Sequence, residues 1–194
     1  MERDALRIRI LDSAADLFNT KGIKFTMDDL AHSLGMSKKT IYTVFPDKKS
    51  LMIDTIDRFF DTAMEEKKQG KAASETDPVE KLKLVLGTIP KRYEIYDLRK
   101  LYVLKEKYPS VYKHWKKRRT EYWQEAEDLL KQGMEEGRIR PVMIPVFRSM
   151  FQASIEQFFQ KDILVKNDIT YKDAVAEVAS ILVDGIVIRD EDKT

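Results

Sequence analysis

Between Gly35 and Pro46 the chain reads GMSKKTIYTVFP, which mixes Lys38, Lys39, Thr40, Tyr42 and Thr43 with Ile41, Val44 and Phe45. At helical spacing the apolar residues fall on one side and the polar ones on the other. That polar side holds ammonium groups, hydroxyls and a phenol, all able to donate to phosphate oxygens or to acceptors on base edges. No Ser–His–Asp arrangement or paired-carboxylate spacing accompanies them, so the chemistry they offer is contact rather than catalysis. A helix of about two turns is too short to persist alone. Its neighbours must hold it.

Those neighbours can be read outward from it. Ser37 is placed to cap the short helix, and Pro46 stops it, because proline donates no amide and biases the residue before it away from the α region. Upstream, TMDD at residues 26–29 reads as a capping box, with the Thr26 hydroxyl meeting the third amide and Asp29 at the reciprocal position. The second helix spans 27–34 and buries Met27, Leu30, Ala31 and Leu34. Gly35 permits a sharp turn at positive φ. Two short helices joined there cross steeply, with Ala31 small at the contact and Leu30, Leu34, Met36, Ile41 and Val44 closing the core. This is a helix-turn-helix pattern. A first helix runs from Asp4 to Lys21 on the stripe Leu6, Ile10, Ala14, Leu17 and Phe18, and Gly22 stops it. Asp47 caps a fourth helix over residues 48–69, and Lys48 at its start is positioned for a phosphate. The outward face of the third helix therefore suits the major groove of DNA.

At TMDDLAHSLGMSKKTIYTVFPDKKSL, residues 26–51, preceded by ILDSAADLFNTKG, residues 10–22, the chain resembles the TetR family of transcriptional regulators. The resemblance implies that Thr26 and Lys48 hold phosphates and that Ser37, Lys38, Lys39, Thr40, Tyr42 and Thr43 face the groove. Family members often carry glycine where Lys39 stands and histidine or tyrosine where Val44 stands. Here a lysine contact would replace close backbone approach. The resemblance further implies an all-helical second domain that binds an effector, its last two helices pairing with those of a second subunit.

The expected fold class is all-α: an N-terminal three-helix helix-turn-helix domain, residues 1–47, plus a C-terminal helical effector-binding and dimerisation domain, residues 48–194. QGKAASETDP, residues 69–78, reads as a linker ending in an Asp77 cap and a Pro78 start. Helices are expected over 78–95, 97–107, 109–136, 142–163 and 171–189. The last two carry apolar faces wider than one core contact needs, which marks Phe147, Phe151, Ile155, Phe158, Val175, Val178, Leu182 and Ile186 as a dimer interface. Two central helices of a monomer would show the same breadth. Phe59, Phe60, Met64, Tyr93, Tyr102, Trp115, Tyr122 and Trp123, with Tyr96, Tyr108 and Tyr112 nearby, form either an effector pocket or ordinary core packing. KHWKKRR, residues 113–119, is either a solvated helix face or a patch for an acidic effector or the field near DNA.

Composition removes other classes. The 194 residues include no cysteine and two histidines, so no disulfide framework, thiolate nucleophile or histidine-rich metal centre is expected, and no cofactor. Hydrophobic residues at 43% against 35% charged suit a globular chain rather than a disordered one. No apolar run is long enough to span a membrane and the N-terminus lacks a secretory pattern, so a cytoplasmic location is expected. The net charge of +2 is unevenly spread: residues 91–119 hold eleven Lys and Arg against three Asp and Glu, residues 120–194 nine against fifteen. The function expected is a homodimeric repressor of an inverted-repeat operator, released by a small-molecule effector. A helical carrier with a remnant helix-turn-helix, or an enzyme built in the second domain, are the competing classes.

Overall fold

The computed structural model describes residues 2–71, 77–93, 100, 103–160 and 162–189. They form ten α-helices: α1 (Glu2–Lys21), α2 (Met27–Leu34), α3 (Lys38–Val44), α4 (Lys48–Lys71), α5 (Pro78–Gly87), α6 (Leu104–Lys107), α7 (Pro109–Glu135), α8 (Ile144–Gln160), α9 (Ile163–Lys166) and α10 (Tyr171–Asp184). The described residues hold one isolated antiparallel bridge, Ile139 with Val187, and no strand. The fold is all-α. None of the described helices is long and apolar enough to cross a membrane.

Where the helices differ from expectation, local chemistry explains it. The helix expected over 78–95 ends at Gly87, because buried Pro90 has no amide to donate and biases Ile89 away from the α region. Of the helix expected over 97–107, the described part is the single turn of α6. The stretch 142–163 divides into α8 and the start of α9. The last helix stops at Asp184, where the Gly185 amide closes onto the Ile181 and Val183 carbonyls.

The chain makes two compact units, residues 1–61 with 96–119 and residues 62–95 with 120–194. The dividing points fall inside α4 and α7, so the unit that holds the helix-turn-helix extends beyond the 1–47 stretch marked out from the sequence. In the first unit Ile10, Leu11 and Ala14 of α1 close against Phe25, Met27, Leu30, Ala31, Ile41, Phe45 and Leu51. In the second, Val79, Leu82, Val85 and Leu86 of α5 pack with Trp123, Leu130, Phe147, Ala179 and Val183. The Arg140 amide donates to the Ile186 carbonyl at 2.9 Å and the Ile188 amide to Arg138 at 3.0 Å, which ties the end of α7 to the chain after α10.

Candidate nucleic-acid interface

The short helix α3 is held by its apolar half. Ile41 is 0% exposed and Phe45 1%, both in the first unit's core, while Leu34, Met36 and Val44 are half-buried around them. The Arg7 guanidinium lies 4.8 Å from the Phe45 ring centre. On the other side Ser37, Lys38, Lys39, Tyr42 and Thr43 are exposed and Thr40 is half-buried. The helix is also capped as expected: Ser37 Oγ accepts from the Thr40 amide at 3.0 Å and lies 2.8 Å from the Thr40 hydroxyl. Thr43 donates back to the Thr40 carbonyl at 2.7 Å. Thus Ser37, Thr40 and Thr43 spend hydrogen bonds on the helix itself. Lys39 and Tyr42 are the groups with no hydrogen bond or ion pair among the described residues. Lys38 pairs with the exposed Asp28 carboxylate at 2.7 Å, which raises its pKa, but the pair is half in water and exchangeable.

The turn that aims α3 rests on Gly35. Its φ is +62°, and its amide closes onto the Ala31 and His32 carbonyls while the Met36 amide returns to Ala31 at 2.9 Å. A Cβ there would meet nothing within 4 Å, so only backbone strain opposes a larger residue. Gly35→Ala is expected to destabilise the protein by about 1–2 kcal/mol, seen as a lower urea midpoint, and Gly35→Asn by less. An unchanged midpoint would show that the turn tolerates another conformation.

Thr26 and Asp29 form the reciprocal cap of α2. The Asp29 amide donates to Thr26 Oγ1 at 3.0 Å, and Asp29 Oδ2 accepts from the Thr26 amide at 2.7 Å and its hydroxyl at 2.9 Å. Thr26 is therefore exposed but internally engaged. Lys21, 2.6 Å from Asp29, and then the Thr26 amide and hydroxyl hold the Asp29 carboxyl at about 2, below its usual 3.8. A depressed carboxylate stabilises the fold fully above the unfolded value and loses that contribution as the pH falls through about 2. Asp29→Asn is expected to flatten the acid limb of a pH series of thermal melts below about pH 4. Superimposable limbs would remove Asp29 from the cap's energetics.

Lys48 is placed differently from the other candidates. Its half-buried ammonium donates to the Ile23 carbonyl at 2.5 Å and to that of Phe25, and lies 4.2 Å from the Phe25 ring centre. Desolvation lowers its pKa. Two of three donors serve the entry to α2, so Lys48 is first a positioning residue for the helix-turn-helix.

The description "Bacterial regulatory proteins, tetR family" matches residues 10–55, which cover most of α1 and all of α2 and α3. Over 183 residues the chain is 26% identical to YvaF, an uncharacterized HTH-type transcriptional regulator of Bacillus subtilis (strain 168), covering 94% of this chain and 96% of that one. Residues 10–55 are thus similar to the DNA-binding part of TetR-family regulators, and nearly the whole chain to one HTH-type regulator. TetR-family proteins are DNA-binding transcriptional regulators, not enzymes. The fold is shared with solved regulators along nearly the whole chain. A transcriptional regulator from Saccharomonospora viridis, solved in complex with choline, is 19% identical with a TM-score of 0.76, covering 96% of this chain and 100% of its own. FadR from Bacillus subtilis, solved in complex with stearoyl-CoA, is 20% identical with a TM-score of 0.70, covering 92% and 98%.

The aromatic candidates are dispersed. Phe59, Phe60 and Trp115 belong to the first unit, where Phe59 meets Phe60 edge-on at 5.2 Å and Trp115 stacks on Tyr112 at 5.5 Å. Met64, Tyr122 and Trp123 belong to the second, where Trp123 packs against Phe147 and Phe151. Tyr102 and Tyr96, and the side chain of Tyr93, lie outside the described residues. Sequence reasoning missed Lys67: inside the polar run EEKKQ it is 2% exposed, its ammonium 3.1 Å from the centre of the Tyr122 ring. Burial, and then the Glu66 charge, push the Tyr122 phenol up. A helical wheel holds the one signal for Lys67, which falls four residues after Ala63 and seven after Phe60, both buried.

The dimer candidates divide as well. Phe147, Ile155, Val175 and Ile186 are buried within their own chain, whereas Phe151, Phe158, Val178 and Leu182 are half-buried. The outward apolar residues are instead Met143, 73% exposed, Ile181, 60% exposed, Val146 and Met150. They line a groove of about 410 Å³ between the start of α8 and the end of α10, floored by Phe147, Leu182 and Ile186.

Proposed function

We propose that the protein is a homodimeric repressor of an inverted-repeat operator, released when a small-molecule effector binds its second unit. The observation that supports it most is the division of α3 into a buried side, Ile41 and Phe45, and an outward side with Lys38, Lys39 and Tyr42 exposed. In the major groove Lys39 and Tyr42 reach base edges, and Ser37, Lys38, Thr40 and Thr43 flank them. Thr26 and the remaining donor of Lys48 meet phosphates at the entry to α2. A second copy of the chain covers the Met143–Ile181 groove, since four outward apolar side chains around one concavity are a surface that a monomer rarely leaves wet. Two-fold pairing then sets two α3 helices against two half-sites.

For the effector, the support lies in the second unit. Among the described residues the buried Trp123 indole N–H has no hydrogen-bond partner, a cost of about 1–3 kcal/mol that an acceptor on a ligand would recover. Choline and stearoyl-CoA in the two solved relatives show that this fold accommodates small molecules of unlike chemistry. A cytoplasmic location follows from the reading as a DNA-bound regulator. The test is a mobility shift with DNA from upstream of the protein's own gene, followed by selection of bound duplexes. A selected inverted repeat supports the proposal; no retarded band at low salt overturns it.

A further inference from the structure

The helix-turn-helix carries no surplus of positive charge. Residues 1–61 hold ten Lys and Arg against ten Asp and Glu. The same compact unit includes residues 96–119, and from Lys100 to Arg119 eight basic residues stand against one acid, Glu106. A stretch with no net charge is not drawn to a duplex at long range, so further affinity has to come from cations elsewhere that displace counterions. The surplus that this unit can offer a polyanion therefore comes from α6 and the start of α7, outside the fragment that reads bases.

Part of that surplus is spent internally. His114 Nε2 lies 2.8 Å from Asp57 on α4, and Arg118 reaches Asp57 at 3.0 Å and also pairs with Asp61. Lys105, Lys107, Lys113, Lys116 and Lys117 are exposed. They are not equally placed. The Tyr108 ring centre lies 5.8 Å from the ammonium of Lys48, the first residue of α4 and three positions beyond Phe45. Lys100 donates to the Asn19 carbonyl near the end of α1. These contacts bring α6 to the end of the unit that holds α3. From there α7 runs along α4, since successive residues 108, 114 and 118 meet positions 48, 57 and 61. At 1.5 Å per residue, Lys116 and Lys117 lie roughly 11 Å along α7 from its first residue, Pro109, which follows α6 after Tyr108. That exceeds the Debye length of about 8–10 Å at working salt.

We propose that Lys105 and Lys107 form a second phosphate-contact surface, which grips the duplex backbone beside the bases that α3 reads. This rests on α3 being the DNA-reading helix. Each lysine that displaces a counterion adds about 0.9 to the slope of log affinity against log salt. The experiment titrates the full-length protein against a short mixed-sequence duplex by fluorescence anisotropy over a salt series. For Lys105→Gln with Lys107→Gln, the slope is expected to become shallower by about 1.8. Lys116→Gln with Lys117→Gln should change it by less than half as much. Thermal melts matching the wild type would show that these exposed substitutions leave the fold intact. An unchanged slope for the first pair, or equal changes for both pairs, overturns the proposal. Lys38→Gln with Lys39→Gln separates the two readings. If that variant flattens the slope and the α6 pair does not, the α6 surface fails while the DNA-reading role of α3 stands. If none of the variants alters it, both fail.

Discussion

Tyr42→Ala is expected to weaken operator binding roughly ten- to hundredfold, the loss of about 1–3 kcal/mol that follows removal of a good base contact, while leaving the melting temperature unchanged. Phe45→Ala, three residues on, is expected to do the reverse first: to destabilise the protein by about 3–5 kcal/mol, so that DNA binding fails because the unit no longer folds. The two aromatic residues belong to the same short segment but to opposite sides of it. Tyr42 is 42% exposed, and no hydrogen bond holds its hydroxyl among the described residues. Phe45 is 1% exposed, sits among Ile10, Leu30, Ile41 and Leu51, and carries the Arg7 guanidinium over its ring. Truncating Tyr42 removes a surface that water already wets, whereas truncating Phe45 opens a cavity that close-packed neighbours cannot fill. Thermal melts and operator titrations on both variants decide it. A Tyr42→Ala protein that melts early would place the phenol in the core, and a stable Phe45→Ala protein would mean that the helix-turn-helix core closes without it.

The first three helices were legible in the sequence because each boundary there is written in local chemistry. Thr26 with Asp29, Ser37, Gly35 and Pro46 act within a few residues of themselves, and α2 and α3 lie within a residue of where those signals put them. The inner and outer sides of α3 were legible for the same reason, since Ile41 and Phe45 are its only large apolar groups apart from Val44. Lys48 was not. A lysine at a helix start reads as a solvent-exposed cation, and only the folded chain shows the Ile23 and Phe25 carbonyls converging on it. Helices α8 and α10 were harder for a different reason. Each carries two apolar stripes, and periodicity reveals both without saying which faces its own core. Phe147 and Ile155 turned inward while Met143, Val146 and Met150 turned outward. Lys67 lies at the far end of this scale, because composition argues for water and only tertiary packing places its ammonium against Tyr122.

The outward stripe supports the largest expected effect on DNA binding. Met143→Glu combined with Ile181→Glu places two carboxylates on a groove that the proposed second copy covers. Both positions are exposed in the single chain, at 73% and 60%, so the substitutions should leave its own stability almost untouched. In the pair they would have to be desolvated without a partner, at a cost of several kcal/mol per ion. The variant is therefore expected to sediment as a monomer under conditions where the wild type is a dimer. Without a linked second α3, binding to an inverted repeat loses its effective-concentration advantage, about 10²–10⁴ in affinity. Binding to a duplex with a single half-site should hardly change, because α3 itself is intact. That contrast separates loss of pairing from loss of fold, which would weaken both duplexes together. A variant that stays dimeric would move the subunit contact off this groove, and a wild-type protein that is monomeric while still binding one full inverted repeat would remove the two-fold mechanism.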